Sequence, residues 1–281
     1  MSVPEFDHFL ALDWSGAKGE RHKGIALALA DAGGGPPVLV VPPAGGWSRI
    51  EVMDLLADLP PRTLVGADLG ISLPYQDAGA FFPGWEQSPR NAKKLWALID
   101  EICADDPYLG AHSFVEHPQA ARYFRHGKDR EGDRFLLEGA ITREGRFRVA
   151  EGAQRAQKCR PVSNFNLVGA AQVGKSSLSG MRMLHQLRGR LNVWPMDPVP
   201  DRSSHLKGSA LVEIYTGLAS REAANLGART KLLTYADLNA ALTVLGSPPV
   251  DAEGDVDDHS SDALLTAAWM RKVAREARRW E

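Results

Sequence analysis

The spacing of apolar runs at the start of this 281-residue chain restricts its fold more than any other feature. Short apolar runs lie at Phe9–Leu12, Gly24–Ala30 and Val38–Val41, and polar, glycine-rich or proline-rich segments separate them. Runs of this length between turn residues are typical of β-strands, and runs that follow one another so closely favour antiparallel pairing. We therefore predict that the fold opens with three antiparallel strands.

The rest of the apolar pattern alternates between helices and strands. Trp47–Leu59 has helical spacing of its apolar residues, and Thr63–Ala67 is a predicted fourth strand. Far along the chain, Ala210–Tyr215 is a predicted fifth strand, and helices are predicted at Tyr235–Leu245 and Ser260–Arg279. The predicted fold class is α/β, with a mixed sheet of three antiparallel strands followed by parallel strands, and with helices flanking the sheet.

Residues 75–208 do not follow this alternating pattern. They contain amphipathic segments at Arg90–Ala104 and Ser177–Leu191, which predict helices, but no regular order of strands. A chain of this length allows one large domain or two small ones. We expect a single domain, 1–281, in which 75–208 is a helical and loop-rich elaboration inserted before the fifth strand.

Composition and charge exclude several classes of protein. With 44% hydrophobic and 24% charged residues, the chain is neither disordered nor fibrous. Its formal net charge of −2 gives no overall field that would attract nucleic acid, so such contacts would need local basic patches. The two cysteines, Cys103 and Cys159, lack the spacing of a zinc site.

No apolar run is long enough for a membrane span, so we expect no membrane partner. The first apolar run follows no basic region and ends at Asp13, unlike a signal peptide, and a cytoplasmic location is expected.

Carboxylates stand at the ends of the predicted core elements. Asp13 and Asp68 each follow directly after an apolar run, and Glu213 lies within the apolar segment Ala210–Tyr215. A further acidic segment, 255–262, opens the last helix. Like charges repel unless a cation neutralises them, and hard oxygen ligands suit Mg²⁺ or Mn²⁺. If these elements end at one edge of the sheet, the carboxylates converge on a metal site.

Each carboxylate also has an ordinary structural explanation. Asp68 could close a turn, and the acidic residues before the last helix could complement its dipole. Glu213 is harder to explain in this way, because an acid inside an otherwise apolar strand needs a partner.

Four segments together resemble one protein family. FLALDWSG (9–16), VGADLGISLP (65–74), VEIYTGLAS (212–220) and DDHSSDALLTAA (257–268) are similar, in this order, to the bacterial family called domain of unknown function 429. That family is described as predicted nucleases of ribonuclease H fold. The last segment, extended to 270, also resembles the final helix of Holliday-junction resolvase-like proteins. The resemblance covers both ends of the chain and leaves the middle unmatched.

The resemblance implies a ribonuclease H-like fold and a set of site residues. The residues carried over as catalytic are Asp13, Asp68, Glu213, His259 and Asp262. All of these except His259 are expected to be metal ligands, with Asp258 as a substitute. His259 and Asp262 are three residues apart on the last helix and therefore share a face. The chain departs from the family at Gly70 and Thr216, where proline is usual, and these departures concern the shape of the loops.

A second motif competes with the carboxylates. Gly169–Ser176 reads GAAQVGKS and matches the phosphate-loop pattern, in which backbone amides and Lys175 would hold phosphates. Its context is unfavourable, because the pattern belongs at the first strand of a parallel sheet and no strand ending in Asp follows. The segment could simply begin a helix. Alternatively, Lys175 could contact substrate phosphates together with Lys158 and Arg160.

The function expected from these features is that of a metal-dependent phosphodiester hydrolase, a nuclease. Two Mg²⁺ or Mn²⁺ ions, roughly 3.5–4 Å apart, would activate the attacking water and stabilise the leaving oxygen. His259 would be an outer ligand or would orient the water. The alternatives are a non-catalytic ribonuclease H-like scaffold that binds nucleic acid or protein and, less favoured, a nucleotide hydrolase that uses 169–176.

Overall fold

A computed structural model describes residues 3–127, 129–140, 142–169, 173–198, 208–224 and 231–280. The chain divides into two compact units. The first unit consists of Met1–Trp14, Arg21–Asp68 and Leu187–Glu281, and the second of Ser15–Glu20 and Leu69–Gln186. The predicted elaboration, 75–208, covers most of the second unit, but its last part from 187 onward belongs to the first.

The first unit contains all the strands of the described chain. They are β1 (His8–Asp13), β2 (Arg21–His22), β3 (Ala26–Asp31), β4 (Val38–Leu39), β5 (Trp47–Ser48), β6 (Thr63–Asp68), β7 (Asn192–Trp194) and β8 (Ala210–Glu213). Six of them form one sheet in the order β4-β3-β1-β6-β8-β7, and β2 pairs with β5 in a separate small sheet. Strands β4, β3 and β1 pair antiparallel, whereas β1, β6, β8 and β7 pair parallel. The predicted fold class, a mixed sheet that is first antiparallel and then parallel, is confirmed.

The first unit also contains helices. They are α1 (Arg49–Ala57), α6 (Thr216–Ala224), α7 (Tyr235–Val244) and α8 (Asp258–Val273), with a short 3-10 helix at Ala277–Arg279. Apolar residues of α6, α7 and α8 form a buried core with alternate residues of the strands. The strand residues of this core are Phe9, Ala11, Ala26, Ala28, Ala30, Leu64, Ala210 and Ile214. Because strand residues two apart share a face, this set defines which face α8 covers.

Gly66 in β6 allows α8 to approach the sheet closely. A Cβ atom at this position would lie 2.4 Å from Sδ of Met270 and 2.8 Å from a methyl carbon of Ile214. Real Cβ atoms do not come so near their neighbours, so a larger residue would push the helix outward. Gly66 therefore faces α8 and Ile214, and so does Asp68, two residues further along β6.

The second unit is helical. Its helices are α2 (Ala92–Ile102), α3 (His112–Glu116), α4 (Val149–Ala156) and α5 (Val173–Gln186), with 3-10 turns at Pro107–Leu109 and Ala120–Tyr123. Its core contains the mutually packed rings of Phe82, Tyr123, Phe124 and Phe165. Two arginines are almost completely buried there: Arg146 pairs with Asp77 at 2.6 Å, and Arg182 pairs with Asp100 at 2.9 Å.

The structure differs from the sequence predictions in several short elements. The edge strand β7 was not predicted. The helix α6 was not predicted. The last helix ends at Val273 rather than at Arg279, so it includes Arg271 and Lys272 but not the later arginines. In the described part of the chain, no helix has the length and apolar character needed to cross a membrane.

Candidate carboxylate site

The carboxyl ends of β1, β6 and β8 meet at one edge of the sheet, because these strands are parallel. Asp13 ends β1 and Asp68 ends β6, and the two residues are direct partners in the strand register. Register partners point to the same face, so both carboxyl groups lie on the face that α8 covers. The structure therefore brings these two acids together at one edge of the sheet.

His259 and Asp13 are in direct contact at this edge. Asp257 accepts a hydrogen bond from Ser260 N at 2.9 Å and so starts α8, which places His259 in the first turn. The two side chains meet with His259 Nδ1 2.7 Å from Asp13 Oδ2. The hydrogen bond to Asp13 raises the pKa of His259 above its ordinary value. Asp13 is largely buried and His259 is about half exposed, so the imidazole connects the carboxylate with solvent.

Asp262 lies one turn further along α8, on the same side as His259. Burial, and next the negative charges of Asp13 and Asp258, raise the pKa of Asp262 from 3.8 to about 7. The influence of Asp13 means that the strand acid and the helix acid are near neighbours. The helix α8 thus places His259 in contact with Asp13 and carries Asp262 on the same side.

Asp68 is in a similar electrostatic position. Burial, and next the charge of Asp13, raise the pKa of Asp68 from 3.8 to about 7, with smaller contributions from Asp262 and Glu213. Its only hydrogen-bond donor among the described residues is Thr216, whose Oγ1 lies 3.0 Å from Asp68 Oδ2. We refer to Asp13, Asp68 and Asp262 as the edge carboxylates.

Glu213 does not share a face with the strand acids. In the register between β6 and β8 it pairs with Ala67, whereas Asp68 is one residue further along. A shift of one residue reverses the face of a strand side chain, so Glu213 points away from the face that carries Asp13 and Asp68. Val212 and Ile214 pack on the α8 side instead. Glu213 therefore does not share the face of Asp13 and Asp68, although its charge contributes to raising the pKa of Asp68.

Asp258, the proposed substitute ligand, has a different role. Its carboxylate forms an ion pair with Lys231, and one third of the side chain is exposed. A carboxylate that is already neutralised by a lysine gains less from a metal ion than an unpaired one. Lys231 also offsets part of the negative charge around Asp262. We therefore exclude Asp258 from the edge carboxylates.

The edge carboxylates fit a hard cation in chemistry, but they do not form a complete ligand shell. No group of three or more His, Cys, Asp or Glu side chains among the described residues is arranged to hold a metal ion. Asp13 and Asp68, however, each engage Oδ2 in a hydrogen bond, and no described residue donates to Oδ1 of either group. Protein sites for Mg²⁺ often supply only one or two carboxylates, and water and substrate phosphates supply the rest. This pair of unengaged oxygens fits that kind of site.

The predicted phosphate contacts lie in the second unit. Lys158 follows α4 in the left-handed backbone region, with φ 60°, and Arg160 lies two residues further along. Lys175 lies in the first turn of α5. A phosphate loop requires a strand directly before it, but the segment 165–168 is not a strand. Residues 170–172 lie outside the described residues. The context needed for a nucleotide-binding phosphate loop is therefore missing in the described chain.

Sequence reasoning missed two residues of this site. Thr216 was noted only as a departure from the family pattern, yet its hydroxyl group reaches Asp68. Thr216 directly follows the predicted strand Ala210–Tyr215, and a threonine is a common helix start, so this signal could have predicted α6. Lys231 gave no sequence signal, because its contact with Asp258 spans 27 residues.

The structure also explains why Gly70 stands where the family resemblance led us to expect a proline. Its N–H donates to Ser177 Oγ at 3.1 Å, and a Cβ atom at this position would lie 2.1 Å from Asn164 Nδ2. A proline here would have no backbone N–H to donate to Ser177, and its ring would clash with the side chain of Asn164.

Comparisons with protein-family models, with curated proteins and with solved structures found no match to this chain.

Proposed function

We propose that the protein is a metal-dependent phosphodiester hydrolase with a ribonuclease H-like fold, and that the edge carboxylates hold its Mg²⁺ or Mn²⁺. One observation carries the proposal: Asp13 and Asp68 stand side by side on adjacent parallel strands. Each has one oxygen engaged, and no residue in the described part of the chain donates to the other oxygen. Two carboxyl groups in this arrangement repel each other, and a divalent cation between them would remove the repulsion.

The architecture supports the proposed fold. Three antiparallel strands followed by parallel ones, with the acid of the first strand next to the acid of the fourth predicted strand, match the order that the sequence resemblance implies. The last helix in the chain order carries His259 and Asp262, as the resemblance implies. Fold likeness alone does not establish an activity, so the proposal rests on the site.

The edge carboxylates supply the negative oxygens on which the chemistry depends. A bound ion would act as a Lewis acid toward the scissile phosphate and lower the pKa of bound water. His259 would accept a proton from the attacking water, because Asp13 engages Nδ1 and leaves Nε2 as the second ring nitrogen. In the overall reaction the water oxygen forms a bond to phosphorus, the bond from phosphorus to the leaving oxygen breaks, and the leaving oxygen takes up a proton.

The test is release of a labelled end from a panel of DNA, RNA, hybrid and four-way-junction substrates in the presence of Mn²⁺. We expect the wild-type protein to cut at least one substrate only when Mn²⁺ is present. Asp13→Asn and Asp68→Asn should each lower the rate at least a hundredfold, because each removes a charged metal ligand. Asp54→Asn, at an exposed position on α1, is the matched control and should retain the rate.

The second candidate is a scaffold of the same fold that binds nucleic acid or protein without cutting it. The incomplete ligand shell favours this candidate. Retarded migration of a substrate from the same panel, with no cleavage at any Mn²⁺ concentration, would support the scaffold and contradict the hydrolase.

A further inference from the structure

Thr216 links the end of the sheet to the edge carboxylates. It follows β8 by three residues and is the first residue of α6. The backbone N–H of Ile214 donates to Ala67 O at 3.0 Å, which fixes the path of the chain beside the end of β6. Two residues later, Thr216 Oγ1 donates to Asp68 Oδ2 at 3.0 Å. This contact joins residues 148 positions apart in the sequence.

The contact restricts how the Asp68 carboxyl group can rotate. A carboxylate without a donor turns freely about its last bond and presents either oxygen to a ligand. With Oδ2 engaged by Thr216, Oδ1 is the oxygen left for a ligand, and Asp68 shares its face of the sheet with its register partner Asp13. Residues that hold a metal-ligating side chain in one orientation raise the affinity of the site, since the orientation is not lost on binding.

We propose that Thr216 is a positioning residue, which holds Asp68 Oδ2 so that Oδ1 is kept for the divalent cation. This inference rests on the proposed function. It adds that the hydroxyl group at 216, through Asp68, determines how tightly the ion binds. A proline at this position, which the family resemblance led us to expect, has no hydroxyl group and could not make this contact.

The chain offers a matched control for the loss of such a hydrogen bond. Thr234 begins α7, and its Oγ1 donates to Asp237 Oδ2 at 2.8 Å. Both contacts therefore join a threonine hydroxyl group at a helix start to an aspartate. Asp237 is not one of the edge carboxylates, so Thr234→Val reports the structural cost of losing such a contact without changing the site.

The experiment is calorimetric titration of the full chain with Mn²⁺, together with thermal melts without metal. We expect Thr216→Val to bind Mn²⁺ about tenfold to a hundredfold more weakly than wild type. Thr216→Ser keeps the hydroxyl group and should bind within about threefold of wild type. Thr234→Val should bind as wild type does, even if its melting temperature falls as much as that of Thr216→Val.

The possible failures are distinguishable. If wild type binds Mn²⁺ and Thr216→Val binds it equally well, Thr216 has no positioning role, and the proposed function stands. If Thr216→Ser loses as much affinity as Thr216→Val, the hydroxyl group is not the cause, and the inference is also overturned. If wild type binds no Mn²⁺, the proposed metal-dependent function fails, and the role of Thr216 fails with it.

Discussion

Single carboxyl groups in this protein have two kinds of surroundings. Asp77 faces the guanidinium group of Arg146, whose side chain is only 1% exposed. Asp68 instead faces other carboxylates, and its one described donor is a hydroxyl group. A buried pair of opposite charges is damaged when one charge is removed, whereas a group of like charges is relieved. The two residues should therefore respond to the same substitution with opposite sign.

The first prediction compares Asp68→Asn with Asp77→Asn at pH 8 without metal. The amide at 68 keeps the volume and can still accept the Thr216 hydroxyl group, so only the repulsion disappears. We expect a stability equal to wild type or higher by on the order of 1 kcal/mol. Asp77→Asn leaves Arg146 without its counter-ion and should cost about 3–5 kcal/mol. Urea unfolding measures both, and a strongly destabilised Asp68→Asn would show that Asp68 is a structural acid.

The residues of the site differ in how far the sequence could predict them. Asp13 and Asp68 could be found, since each directly follows an apolar run and parallel strands end at one edge. His259 and Asp262 could be found as neighbours on one helix face. Glu213 could not be placed, because its face depends on a register that two strands set by pairing, and a shift of one residue reverses it.

At the scale of elements, long periodic segments were predictable and short ones were not. The strands β1, β3 and β6 and the helices α2, α7 and α8 lie where the apolar pattern placed them, within a few residues. The edge strand β7 has three residues, which is too short for an alternating pattern to be recognised. The second unit was predicted only in part, because its buried arginines depend on partners far away in the sequence.

The second prediction concerns the packing of α8 on β6, which positions His259 and Asp262. Gly66→Ala would place a Cβ atom 2.4 Å from Met270 Sδ, so the helix or the methionine must move. We expect a loss of about 1–3 kcal/mol, as is typical of an overpacked core. Gly152→Ala is the control, because a Cβ atom in the exposed helix α4 meets nothing within 4 Å. That change should leave stability equal or raise it by up to about 1 kcal/mol.

A chemical denaturation series on Gly66→Ala, Gly152→Ala, Met270→Ala and the double variant Gly66→Ala, Met270→Ala tests this geometry. Removing the methionine side chain makes room for the new methyl group, so the two changes should be less costly together than the sum of the single changes. Strict additivity would contradict the close approach of α8 to β6.

For the whole molecule, two groups of carboxylates act on stability in different pH ranges. Hydrogen bonds from Arg21 lower the pKa of Glu51 to about 2, and arginines lower the pKa of Glu116 and Asp133 in the same way. Their contribution is present above the unfolded pKa and is lost as the pH falls through the folded pKa. Asp68 and Asp262 have raised pKa values of about 7, so the folded protein binds more protons than the unfolded chain between pH 4 and 7. Because of these two groups, the free energy of unfolding decreases as the pH rises through that range.

The last prediction is the resulting pH profile of the free energy of unfolding, with and without Mn²⁺. Without metal, stability should be highest near about pH 5 and fall toward pH 8. The raised pKa of His259 acts in the same direction, since its contribution to stability is complete below pH 6.5 and is lost as the pH rises through the folded value.

Mn²⁺ binds the ionised carboxylates and displaces their protons, so the stabilisation by Mn²⁺ should grow with pH. It should reach about 2.7 kcal/mol at an Mn²⁺ concentration of a hundred times Kd. Urea unfolding from pH 4 to 8 measures both curves. A metal-free curve that rises steadily from pH 5 to 8, or an Mn²⁺ effect that is equal at pH 5.5 and pH 8, would contradict the assignment of Asp68 and Asp262 as the groups that release protons to the ion.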